Sequence, residues 1–130
     1  MATVVIVEDN PDNMKLFRAV LQRAGHRVVE FTSGVGLADG LAGIAADLVL
    51  LDIQLPDRDG MAVLGDLRRR YGTGLIVVAL TAHVLPADQV GVMAAGFDGF
   101  LAKPIQVSEF PSQVAALMAT GRGPGKTTIL

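Results

Sequence analysis

Hydrophobic and polar positions along the chain repeat with two alternating periods. Short aliphatic, often β-branched runs stand at Thr3–Val7, Arg27–Phe31, Asp47–Leu51, Leu75–Leu80 and Gly99–Ala102, each about the length of a strand. Between them the spacing turns helical. Leu16, Phe17, Val20, Leu21 and Ala24 place one apolar stripe on a helix over Asp12–Ala24, with Asn10 as N-cap, Pro11 in the first turn and Gly25 as the stop. A second helix is expected over about Val35–Ala45. Gly34, Gly36, Gly40 and Gly43 make it the weakest of the set. A third covers Met61–Tyr71, after a loop Gln54–Asp59 punctuated by Pro56 and Gly60, and ends on Arg68-Arg69-Arg70, where cations suit the helix dipole. Pro86 opens a short fourth helix that Gly96 closes, and Val107–Ala119 forms the last.

Strand and helix alternating five times predict an α/β fold with a five-stranded parallel sheet, right-handed crossovers and helices on both faces. Four runs stop on chosen polar residues: the first on Glu8-Asp9, the third on Asp52, the fourth on Thr81 and the fifth on Lys103. The second ends Glu30-Phe31-Thr32-Ser33, with no carboxylate at its edge. A flavodoxin-like strand order 2-1-3-4-5 puts that second strand at the margin and makes the other four neighbours, with ligands expected at the carboxyl ends. Each residue has a bland reading by itself. Asp9 could cap a helix, Glu8 could be a solvated strand end, Thr81 suits turns and Lys103 could simply face water. Asp52, leaving four large apolar residues, has few such explanations. Taken together they bring three carboxylates, one hydroxyl and one ammonium to one edge. Crowded carboxylates repel. A hard dication such as Mg²⁺ relieves that and also binds phosphate oxygens. Asp9 and Asp52 are the candidate direct ligands, with Glu8 direct or through water. Asp52 is the candidate nucleophile toward phosphorus, and Thr81 and Lys103 are the candidate partners of the phosphoryl oxygens.

Composition narrows the choice. With 130 residues the chain fits one domain, expected over 1–119 with a flexible tail over 120–130, and 51% hydrophobic residues fit strands covered on both sides. A net charge of −2 argues against a nucleic-acid partner. The absence of cysteine removes disulfides and thiolate metal sites. Neither a spanning segment nor a leader pattern stands out, so no membrane partner and a cytoplasmic location are expected.

Val-Glu-Asp-Asn at 7–10, Leu-Leu-Asp-Ile-Gln-Leu-Pro-Asp-Arg-Asp-Gly at 50–60, Leu-Thr-Ala at 80–82 and Phe-Leu-Ala-Lys-Pro at 100–104, in this order, resemble the receiver domain of two-component response regulators. The resemblance runs from about Thr3 to Met118 and is similar to the stand-alone, phosphorelay type and to receivers within hybrid kinases. It implies that Asp52 accepts a phosphoryl group from a phosphohistidine of a histidine kinase or phosphotransfer protein. It implies Mg²⁺ held by Glu8, Asp9, Asp52 and the backbone carbonyl of Gln54, and phosphoryl oxygens held by Thr81, the Ala82 amide and Lys103. The Lys103–Pro104 bond is expected to be cis. Thr81 and Phe100 would form the switch, with Phe100 standing where Tyr is commoner. Gln54 and His83 occupy positions that tune phosphoryl lifetime in this family, with His83 read as a surface residue rather than a catalyst. Asn13, Met14, Pro104 and Ile105 are expected to meet the phosphodonor, with half-buried packing an equal reading for Met14, and the face near Phe100 and the last two helices a downstream protein target. No output domain is expected after Met118. An aspartate-nucleophile phosphatase fits less well, since Gln54 stands where its second acid belongs. A receiver-like interaction module that takes no phosphate is the remaining alternative.

Overall fold

In the computed structural model the described residues are 2–55, 59–82 and 86–120, with main chain only at 86–89 and 120. Five strands, β1 (Thr3–Val7), β2 (Arg27–Phe31), β3 (Leu48–Asp52), β4 (Val77–Thr81) and β5 (Gly99–Ala102), form one parallel sheet in the order β2-β1-β3-β4-β5. The helices are α1 (Pro11–Arg23), α2 (Leu37–Gly40), α3 (Gly60–Tyr71), α4 (Pro86–Ala94) and α5 (Phe110–Thr120).

Alternation along the strands sorts the core into two layers. Val4, Ile6, Leu48, Leu50, Val78, Leu80 and Leu101 pack against Met14, Phe17 and Leu21 of α1 and Phe110, Val114 and Leu117 of α5. The Phe17 and Phe110 rings meet across that seam with centroids 5.6 Å apart. Val5, Val7, Val49, Leu51, Val77, Ala79 and Phe100 face the other way, onto Leu37, Val63, Leu64, Leu67 and Val92. The expected helices on both faces are thus present.

Three elements, α2, α5 and β4, depart from the sequence expectation by two residues or more, while β3, α1 and α3 shift by one. The second helix is one turn, not a span over 35–45. Gly36 before it is left-handed (φ 71°) and offers no side-chain cap, so the start is set by a residue outside the helical region, while Leu41 caps the other end in helical geometry and Gly43 beyond it is left-handed. Tyr71 anchors the turn by donating its hydroxyl proton to the Ala38 carbonyl. The last helix starts at Phe110 rather than Val107, with Gln106 O receiving the Phe110 N–H. The fourth strand starts at Val77 rather than Leu75, because a 3-10 turn at Gly72–Gly74 delays it.

That delay belongs to a network at the amino ends of β4 and β5. The Arg68 guanidinium donates to the carbonyls of Gly72, Leu75 and Gly96 and to Asp98 Oδ2. Asp98 Oδ2 also accepts the Val77 N–H at 2.8 Å. Arg68 therefore does more than complement the α3 dipole. It ties the end of α3 to two strands.

Candidate functional site

The site lies at the carboxyl edge of the sheet. Counting on by two from Ile6, Leu50 and Leu101 reaches Glu8, Asp52 and Lys103, so strand alternation sends all three toward the α1 and α5 side. The register keeps the neighbours level: Asp52 pairs with Leu80 and Thr81 with Ala102, and the Lys103 N–H donates to the Thr81 carbonyl at 2.8 Å. Glu8, Asp52 and Thr81 are almost wholly buried, at 1%, 2% and 1% exposure. Asp9 is exposed.

Lys103 Nζ stands 2.9 Å from Glu8 Oε1 and 2.9 Å from Asp52 Oδ2. The contact with Asp52 is an aligned hydrogen bond. The one with Glu8 is an ion pair by distance only, so Glu8 Oε1 is buried beside a charge with no aligned donor among the described residues. The other carboxylate oxygens are held by the main chain: Asn10 N–H donates to Glu8 Oε2 at 3.2 Å and Gln54 N–H to Asp52 Oδ1 at 2.8 Å. Sequence reasoning gave Asn10 only its capping role. It fills that role, accepting from the Asp12 and Asn13 N–H groups, and its own N–H fixes Glu8 as well. Asp9 is not the cap.

Burial pushes the Glu8 carboxyl above the usual 4.5, with help from the Asp52 charge; Lys103 and the Asn10 N–H pull it back without cancelling the rise. For Lys103, burial works against the charge, but Asp52 and Glu8 outweigh it and hold the ammonium above its usual 10.5. A carboxyl raised by folding binds its proton more tightly in the folded chain. The stability this gives is present below the unfolded value and lost as pH rises through the folded one. Glu8→Gln, which mimics the protonated form, is therefore expected to unfold at higher urea concentration than the unaltered chain at neutral pH, and with a flatter pH dependence. A lower midpoint for Glu8→Gln would mean that the Lys103 ion pair outweighs burial.

Glu8, Asp9 and Asp52 each offer a carboxylate oxygen, all within 4.8 Å of one another. Three hard oxygens, from a set that includes a Glu8 with one oxygen buried without an aligned donor, fit a hard dication. Ala82 is exposed and Gln54 is exposed. The Lys103–Pro104 bond is cis. Phe100 is buried at 6% in the layer facing α3 and α4. Of the four positions expected to meet a phosphodonor, Asn13, Pro104 and Ile105 line a cleft of about 260 Å³ together with Leu16, Ala82 and Lys103. Met14 does not. It is 4% exposed and packs in the core with Phe17 and Leu21, because its place on α1 falls on the helix's buried stripe. His83, Pro56 and the tail 121–130 lie outside the described residues. Among the described residues no helix is long and apolar enough to cross a membrane.

Comparison with known proteins agrees with this geometry. The polar-differentiation response regulator DivK of Brucella ovis is 36% identical over 109 residues, covering 83% of this chain and 89% of that one. The sensor histidine kinase GacS of Pseudomonas protegens is 30% identical over 132 residues, covering 96% of this chain but only 14% of the kinase. Among solved structures, the receiver domain of a Pseudomonas aeruginosa sensor histidine kinase superposes with a TM-score of 0.80 at 28% identity. The match covers 91% of this chain and 98% of that one, and that structure holds a magnesium ion in its active-site cleft. A chemotaxis protein of Vibrio cholerae shares the fold at a TM-score of 0.82. The model of the response regulator receiver domain matches residues 4–115, which takes in all five strands but for Thr3 and all the polar strand ends, and the chain belongs to that family.

Proposed function

We propose that this receiver domain is a phosphoacceptor, taking a phosphoryl group from a phosphohistidine onto Asp52 in a Mg²⁺-dependent step. The observation that carries the reading is the Lys103 ammonium, set 2.9 Å from both Glu8 and Asp52 at the edge of the sheet. A lysine in that place compensates charge that a phosphoryl group would bring, and its raised affinity for its own proton keeps it cationic.

An Asp52 carboxylate oxygen attacks phosphorus. The O–P bond forms as the P–N bond to imidazole breaks, and the imidazole nitrogen leaves with the electron pair and gathers a proton from water. The Gln54 N–H, on Asp52 Oδ1, orients the nucleophile. Lys103, the Thr81 hydroxyl and the Ala82 N–H hold phosphoryl oxygens. Glu8, Asp9 and Asp52, with the Gln54 carbonyl, would hold Mg²⁺. When bound, the metal offsets the charge of the carboxylates and of the incoming phosphoryl group.

The cleft beside Lys103, lined by Asn13, Leu16, Pro104 and Ile105, suits the docking of a histidine kinase or phosphotransfer protein close to the acceptor. Phosphorylation would bias Thr81 and Phe100 between two arrangements, read by a downstream protein target at the α4, β5 and α5 face.

The test is incubation with a small phosphodonor, acetyl phosphate, followed by intact mass and peptide mapping. One phosphoryl group is expected, carried by the peptide containing Asp52 and absent when Mg²⁺ is chelated. No adduct under any donor would leave a receiver-like interaction module in its place, and steady release of phosphate from many phosphomonoesters would mark a phosphatase.

A further inference from the structure

We infer that Gly60, the first residue of α3, is a positioning residue for the turn that carries Asp52, a role that rests on the phosphoacceptor reading only where metal binding is used to test it. A Cβ built at Gly60 would lie 2.5 Å from the Ile53 Cα and 2.9 Å from its Cβ. The nearest atom is main chain, so no side-chain rotation relieves the overlap. Gly60 is not among the glycines with positive φ. Its backbone is one that any residue adopts, and close approach is what demands glycine there.

Both sides of the contact are held. On one side, the Asp59 carboxylate caps α3 by accepting the Met61 N–H at 3.0 Å, and Val63, Leu64 and Leu67 of the same helix are buried in the core. On the other, the Ile53 N–H donates to the Leu80 carbonyl at 3.2 Å, and the Gln54 N–H reaches Asp52 Oδ1 at 2.8 Å. The segment that must yield to an added methyl is thus the turn Ile53–Gln54. It leads directly out of Asp52 and supplies the donor that orients its carboxylate. A helix would ordinarily gain from Gly→Ala, so the substitution sets a local gain against a displaced acceptor.

Gly40→Ala is the matched control. Its Cβ would come within 2.8 Å of the Phe31 ring, a steric conflict that touches neither β3 nor the turn after it. The full chain, labelled with ¹⁵N, is recorded without metal and then titrated with Mg²⁺ alone, as unaltered protein, Gly60→Ala and Gly40→Ala. In metal-free Gly60→Ala the Gln54 amide is expected to move upfield and exchange faster, and Mg²⁺ affinity to fall about tenfold, as when groups supporting metal ligands are lost. Gly40→Ala is expected to lose stability yet keep the Gln54 amide and the affinity of the unaltered chain. A Gln54 amide in Gly60→Ala that matches the unaltered chain overturns the inference. Failure of the unaltered chain to bind Mg²⁺ counts against the metal reading instead, and the metal-free amide still decides the role of Gly60. If Gly60→Ala does not fold, Ile53→Gly/Gly60→Ala, which removes the side-chain part of the overlap, is read by the same Gln54 criterion.

Discussion

Asp52→Ala will take up no phosphoryl group from acetyl phosphate, and Lys103→Met will take one up about 10²–10³-fold more slowly than the unaltered chain, the usual loss when one preorganised charge partner is removed from a reacting centre. The two substitutions differ in kind. The first removes the atom that bonds to phosphorus. The second leaves Asp52 and its Gln54 N–H contact in place and removes only the ammonium 2.9 Å from Asp52 Oδ2. That ammonium is mostly buried, with 17% of its side chain exposed, so water replaces it poorly. Lys103→Met also takes away a cation that competes for the same carboxylates. Mg²⁺ should therefore bind the variant more tightly while phosphorylation slows, a divergence that general loss of structure would not produce. Initial rates of mass gain and a Mg²⁺ titration by calorimetry check both halves. An unchanged rate would remove Lys103 from the chemistry, and weaker metal binding would show that its role is structural.

Asp98→Ala will cost about 3 kcal/mol of stability, the low end of what breaking a buried ion pair from one side costs, or roughly 10 °C in Tm at this chain length. Asp98 is only 8% exposed and serves two donors, the Arg68 guanidinium and the Val77 N–H. Its loss leaves the Val77 N–H without its acceptor and the Arg68 charge without its counter-charge, although Arg68 keeps the carbonyls of Gly72, Leu75 and Gly96. The Arg70–Asp39 pair gives the contrast: Asp39 is 86% exposed there, and Asp39→Ala should change stability by well under about 1 kcal/mol. Urea denaturation of the two variants separates the cases, and equal midpoints would mean that water already serves Arg68 in the folded chain.

The same pair shows where sequence reading stops. Periodicity located β1, β2 and β5 to the residue, because each is an aliphatic run bounded by polar or glycine positions. The polar strand ends were legible for the same reason: a charged residue directly after a buried strand is costly unless it has a use. Asp98 carried a fainter version of that signal, a lone acid between Phe97 and Gly99-Phe100. Its partner lies 30 residues away, in a run of three arginines that local rules assign to the end of a helix. The short α2 was only half legible. Its glycines marked it as weak, but where a glycine turns left-handed depends on the packing around it. For Met14 the sequence left partner contact and packing equally open, since a partner-facing position and a core-facing one are adjacent on a helix, and its burial favours packing. Gly60 was legible only as punctuation of the loop before α3 and as the end of the 50–60 motif, because close approach between α3 and the turn after β3 leaves no trace in spacing.

The strand order also separates the two signs of charge at the site along the chain. The segment through Asp52 contains β2, β1 and β3, which are contiguous in the sheet, and β4 and β5 then add outward in turn. The acids at 8, 9 and 52 are synthesised before the lysine that balances them, and a domain folds as a unit rather than strand by strand. A chain stopped before β5 lacks both the strand that pairs with β4 and Lys103, the residue directly after it. The last strand thus completes the sheet and brings the site its cation in one stretch of chain.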